Sequence, residues 1–211
     1  MRHDGTMELF QYWNRLRRDR PAPRRTEIEP ADIKNLLANT FIIEADARGE
    51  AVFRLAGTRL CAMFGRELKS FAFASLWTQR DQRVIARLMY GALHQNSVTV
   101  IEMEAASRGG RSIALELIAL PLTSSADGPR ALGSIVPMEK PFWLGADPIA
   151  ECRIESLRAV DPDVEPVFLK NRPSVPVPPL AADLLGRRKD DSPSGRRVRH
   201  LVVLEGGRDG S

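Results

Sequence analysis

Leu9, Phe10, Trp13 and Leu16 stand at i, i+1, i+4 and i+7, with mostly polar residues between them. That spacing lines one face of a helix. Arg15, Arg17, Arg18 and Arg20 cluster at its end, and "PAPRR" stops it. An isolated amphipathic helix of this length is unstable in water. Its apolar stripe must therefore dock on the rest of the chain, on a second copy or on a partner. A second helix is expected from Pro30, with Asp32 in its first turn and Ile33, Leu36 and Leu37 on its apolar side, ending near Asn39.

The pattern then shortens. Residues 40–46, "TFIIEAD", and 51–57, "AVFRLAG", read as two strands joined by the turn "ARGE", with Phe53 and Leu55 on the same side. Thr58 is placed to cap a helix carrying Leu60, Cys61, Met63 and Phe64, and Gly65 ends it. "FAFASLW" predicts a short buried turn. Residues 81–95 give the clearest helix, through Val84, Ile85, Leu88, Met89, Ala92 and Leu93. Three strands follow, at 98–106, 111–122 and 131–137, separated by "SRGG" and a loop over 123–130.

Beyond Lys140 the periodicity fades. Cys152, Ile154 and Leu157 support one more strand at most. "RPSVPVPP" reads as an extended linker, "GRRKDDSPSGRR" as a solvated charge run, and 198–204 as a short strand. The domain reading is thus an N-terminal helical extension over 1–35, a central domain over 36–140, and a largely irregular Pro/Arg-rich extension over 141–211.

Short turns between strands favour antiparallel pairing. The expected fold class is α+β: a five-stranded antiparallel sheet with helices on one face. Its core should be aliphatic, because 43% of the 211 residues are hydrophobic but only 6% are aromatic.

Composition narrows the function classes. No apolar run approaches the roughly 18 residues of a membrane span, and "MRHDGTMELFQYW" has no signal-peptide pattern. A cytoplasmic protein is expected. The net charge of +4 is too modest to mark a nucleic-acid binder. Cys61 and Cys152 are unmotivated as a pair and read as free thiols. No metal-ligand cluster, catalytic triad spacing, nucleophile elbow or phosphate loop is present, so no enzyme is expected.

The order of two strands, short helices, one long helix and three strands resembles a PAS domain over about residues 36–140. The segment "FRLAGTRLCAMFGREL" carries much of the likeness, through Phe53-Arg54-Leu55, the helix from Thr58 to Phe64, Gly65, Glu67 and Leu68. Together with "YWNRLRRDRPAPRRTEIEPADIK" and "FWLG" it is similar to the short, stand-alone PAS proteins of alphaproteobacteria. The resemblance implies a helix-lidded interior, which relatives fill with a ligand or with side chains. Its candidate lining residues are Phe53, Leu55, Leu60, Met63, Phe64, Phe73, Leu76, Leu88, Val100, Leu115 and Leu117, each of which also reads as plain core.

The resemblance also implies a regulatory module with no output domain. It would sense a small ligand or dock onto a signalling protein in trans, such as a histidine kinase or a diguanylate cyclase. Homodimers are expected, formed through Leu9, Phe10, Trp13 and Leu16. The cofactor is left unknown. The segment after Gly65 lacks the reactive cysteine of flavin-binding relatives, Cys61 reads as structural, and His94 is the domain's one candidate haem ligand. The alternative reading is an adaptor that binds nucleic acid or a cyclic dinucleotide through Arg187, Arg188, Arg196, Arg197 and Arg199, because guanidinium forks suit phosphate.

Overall fold

The structure is a computed structural model, and it describes residues 1–125, 128–163, 197–198 and 201–202. The chain divides into two units, Met1–Val177 and Pro178–Ser211.

The first unit opens with helix α1, Asp4–Arg17. The second helix expected before Asn39 is instead two 3₁₀ turns, Pro30–Ile33 and Leu37–Asn39. Six strands follow: β1, Thr40–Ala45; β2, Ala51–Ala56; β3, Val98–Ser107; β4, Ser112–Ser125; β5, Gly128–Pro137; and β6, Ile149–Val160. Helix α2, Thr58–Phe64, and helix α3, Gln82–His94, lie between β2 and β3 with a 3₁₀ turn at Phe73–Leu76. In the second unit, β7, Arg197–Val198, pairs antiparallel with β8, Leu201–Val202, so the described residues of the strand expected over 198–204 belong to two short paired strands.

The main sheet has the order β2-β1-β5-β4-β3-β6, and every pairing is antiparallel. It has six strands where five were expected. β6 adds to β3 at the edge, from Val98 opposite Val160 to Ser107 opposite Ile149. The loop expected over 123–130 is mostly strand as well, because β4 and β5 stay paired out to Ser125 and Gly128.

Both faces of the sheet are covered. The inner face packs against α2, α3 and the Phe73–Leu76 turn, around Phe41, Ile43, Phe53, Ile101, Met103, Leu115 and Leu117. The outer face packs against α1 and the segment after it, around Ile42, Val98, Val100, Ile118, Leu120, Leu122 and Leu132. The N-terminal helix is therefore part of the fold.

Three contacts fix α1. Trp13 is buried, and its Nε1–H donates to the Pro121 carbonyl at 2.7 Å. At the front end, the fully buried Glu116 carboxylate accepts the Arg2 and His3 backbone N–H groups at 2.6 and 3.1 Å. At the rear, the buried Arg17 guanidinium donates to the Pro162 carbonyl at 2.9 Å and to Asp163 Oδ1 at 2.8 Å.

Candidate functional site

Of the residues expected to line an interior, Phe53, Leu60, Met63, Phe64, Phe73, Leu76, Leu115 and Leu117 are buried in the inner-face core, and Leu88 packs half-buried against it. Phe41, Phe53 and Phe73 touch one another, with ring centroids 5.0–5.7 Å apart, so rings fill the space between α2 and the sheet at this point.

Two expected lining residues face elsewhere. Val100 belongs to the outer-face core, because it alternates with the inward Ile101. Leu55 is 50% exposed. A bulge explains it: Ile42 pairs with Leu55 but Ile43 pairs with Phe53, so Arg54 is the extra residue and Phe53 and Leu55 emerge on opposite faces. Leu55 lies instead beside Ile28, Ile33, Leu37 and Ile42 on an outer apolar groove of about 240 Å³.

The two cysteines reach the inner-face core, Cys61 half-buried against it and Cys152 buried within it, but His94 does not. His94 ends α3, exposed and stacked on the Tyr90 ring at 4.5 Å, and so is not placed as a haem ligand. Cys61 is half-buried, and its thiol donates toward Glu67 at 3.6 Å. Burial is the first cause that pushes this thiol up, with the Glu67 charge also raising it. Burial also pushes the Cys152 thiol up, to about 12. Neither cysteine is a poised nucleophile.

The stripe Leu9, Phe10 and Trp13 is buried against the chain's own sheet, with Leu16 half-buried beside it. Self-association through that stripe would require α1 to leave the sheet. Of the arginines read as anion-binding, Arg187, Arg188, Arg196 and Arg199 lie outside the described residues, and Arg197 is described only as the first residue of β7.

The structure also brings together a crevice of about 380 Å³ that the sequence reading did not propose. The N-terminal segment contributes His3 and Gly5, the turns before β1 contribute Asn35, Leu36 and Asn39, α2 contributes Arg59, Ala62 and Met63, and the end of β5 with the following loop contributes Val136, Lys140 and Leu144. Leu36, Met63, Val136 and Leu144 give it an apolar lining. Arg59 and Lys140 are exposed, with no carboxylate partner among the described residues. Asn39 is nine-tenths buried, and its Oδ1 has no hydrogen-bond partner among the described residues. His3 Nδ1 accepts the Gly5 N–H at 2.9 Å, which leaves Nε2 as the ring's donor.

No Asp or Glu lines the crevice. Its polar groups are thus two cations, a ring donor and amides. They come from four separate stretches of sequence, so no local motif announces them. Gly57 helps to set this geometry. A Cβ there would land on the carbonyl oxygens of Leu37 and Ala38, so only glycine lets α2 start against the turn that carries Asn39. Gly65 then ends α2 at φ 62°, in the left-handed region.

No curated protein matches the chain. A solved light-oxygen-voltage domain, reported in a study of its mechanism with a flavin analogue, matches with a TM-score of 0.40 and 13% identity, covering 52% of this chain and 84% of its own. The family model described as "PAS domain" matches residues 1–136 and so includes α1. That match spans more than half of the sequence, and with the antiparallel sheet and its helical layer it shows that the chain belongs to the PAS domain family.

Proposed function

We propose that this protein is a cytoplasmic, ligand-responsive PAS module without catalysis of its own, whose signal enters at the crevice beside α2 and leaves through the seating of α1. A signalling or sensory role is what the family supports in general. The observation that carries the finer reading is the makeup of the crevice walls. They combine α2 from the inner layer, the end of β5, and His3 at the start of the outer helix.

His3 links the two ends of this reading. Its side chain lines the crevice while its backbone N–H is held by buried Glu116. A ligand that engages His3 and Arg59 together favours the seated helix. When the crevice is empty, α1 is freer to expose Leu9, Phe10 and Trp13 to a second copy or to a partner such as a histidine kinase or a diguanylate cyclase.

The test is thermal unfolding of the full chain against a metabolite panel, for the wild type and for Ala62→Trp. Ala62 is exposed on the crevice wall, so the indole obstructs the space without entering the core. A ligand of the folded state raises the melting temperature. At least one compound should do so for the wild type and not for Ala62→Trp. If every compound acts equally on both proteins, the crevice is not the input site.

A further inference from the structure

We infer that His3 is a proton-operated latch on α1: when its imidazole gains a proton it releases the helix's first turn and shifts the chain towards the unseated helix. The latch works without a ligand and so goes beyond the crevice as an input site; its consequence for signalling rests on α1 being the output. Two local choices at the start of α1 run against helix chemistry and fit each other. Ser, Thr, Asp and Asn are the favoured N-cap residues, and none of them changes charge near neutral pH. His3 takes the N-cap instead, at φ −92° and ψ 134°, and its Nδ1 accepts the Gly5 N–H at 2.9 Å. Glycine inside a helix lowers its stability. Here it makes room, because a Cβ on Gly5 would lie 3.2 Å from His3 Nδ1 and 3.3 Å from its Cε1. The turn is thus shaped around an imidazole, whose ordinary charge change falls between about pH 5 and 8.

Protonation removes the cap. Both nitrogens of an imidazolium are donors, so Nδ1 no longer accepts the Gly5 N–H. The new positive charge also sits at the helix N-terminus, where the backbone dipole favours anions. Arg59 on α2 and Lys140 after β5 line the same crevice and oppose the charge, as does the neighbouring Arg2. Asp4 in the first turn and Glu116 on β4 favour it, but Glu116 is already engaged by the Arg2 and His3 N–H groups, and Glu102 by the Arg2 guanidinium. Asn35, Leu36 and Asn39 face the ring's crevice from the turns before β1 without charge. The loosened turn carries part of the outer-face core: Met1, Thr6 and Met7 are buried, and the Met7 N–H donates to the His3 carbonyl at 3.1 Å.

The experiment is an NMR titration of the full chain between about pH 8 and pH 5.5, across the histidine range, for the wild type, His3→Asn and His3→Ala. Two signals are read. The Gly5 amide proton and the His3 Cε1 proton report the cap. Exchange of the Trp13 indole N–H, which donates to Pro121 while α1 is seated, reports the helix as a protection factor against free indole at the same pH. In the wild type the Gly5 and His3 signals should move with one midpoint, and Trp13 protection should fall about three- to tenfold on acidification, the scale of one lost helix cap. His3→Asn keeps a cap oxygen that does not titrate, so its Trp13 protection should hold steady. His3→Ala has no cap at either end of the range and should start low and stay low. His3 is only half-buried, and matching circular dichroism at the alkaline end would confirm that the variants fold.

His94 and every carboxylate are common to the three proteins, so a decline in His3→Asn equal to that of the wild type would place the sensitivity elsewhere and overturn the latch. A Gly5 signal that ignores the His3 titration would overturn it too. So would steady Trp13 protection in a wild type whose Gly5 signal titrates, because the cap would then open without the helix leaving. No ligand is present in these measurements, so their failure is distinct from failure of the crevice as an input site, which Ala62→Trp reports.

Discussion

Trp13 does two things with one side chain. Its ring fills the outer-face core, and its Nε1–H satisfies the Pro121 carbonyl in the middle of β4. Trp13→Phe keeps most of the apolar bulk and removes the donor. A buried carbonyl left without its partner costs about 1–3 kcal/mol, so the urea midpoint should fall with the m-value unchanged. Glu116 is a comparable commitment. It lies directly opposite Glu102 across β3 and β4, an unfavourable pairing of like charges on its own. The backbone N–H groups of Arg2 and His3 offset it, and the Arg2 guanidinium reaches Glu102 at 3.5 Å. Sequence periodicity places Glu116 among outward residues of β4 but is silent on what covers it, because the covering groups are main-chain atoms more than a hundred residues away.

Elements were legible where their side chains kept an unbroken period. Helix α3 and strands β3 and β4 follow their apolar alternation closely. The failures coincide with broken registers. One bulge in β2 turned Leu55 outward. Two irregularities against β3 disguise β6: Glu102 pairs with Ser156 and Met103 with Ile154, while Ala106 pairs with Glu151 and Ser107 with Ile149. Residues 150 and 155 are therefore skipped, and the period-2 signal over 149–160 is scrambled although the backbone pairing is long. The 30–39 segment misled for another reason. Its Pro and apolar spacing suit a helix, but the chain must turn into β1 within ten residues, and tight 3₁₀ turns meet that need. The crevice was illegible because its polar groups meet only once α2 lies against those turns. Gly57→Ala should disturb this junction directly. Forcing a methyl group onto the Leu37 and Ala38 carbonyls costs about 1–3 kcal/mol as overpacking, readable as a lowered melting temperature.

At the scale of the whole molecule, Cys152 reports on opening of the sheet edge. It lies under the segment that runs beside β6, where the Thr78 N–H donates to the Cys152 carbonyl at 2.9 Å and Asp81 accepts the Ile154 N–H at 2.9 Å. Its thiol, pushed up to about 12 by burial, stays protonated in the folded protein, whereas in the unfolded chain it ionises near 9. The unfolded state then holds fewer protons, so stability should be unaffected below pH 9 and fall between 9 and 12, by at most about 1.4 kcal/mol per pH unit from this group. Cys152→Ala should flatten that alkaline decline in urea melts. Alkylation of the native protein should label Cys61 well before Cys152.

The tether from Arg17 to Pro162 and Asp163 spans almost the whole described sheet in sequence. On the ribosome, α1 is made before its partners: the Pro121 carbonyl on β4 follows Trp13 by 108 residues, and the anchors beyond β6 follow Arg17 by 145 and 146. Over that interval Leu9, Phe10 and Trp13 travel as an uncovered greasy helix, so the nascent chain is a natural client for chaperones until β4, β5 and β6 have followed.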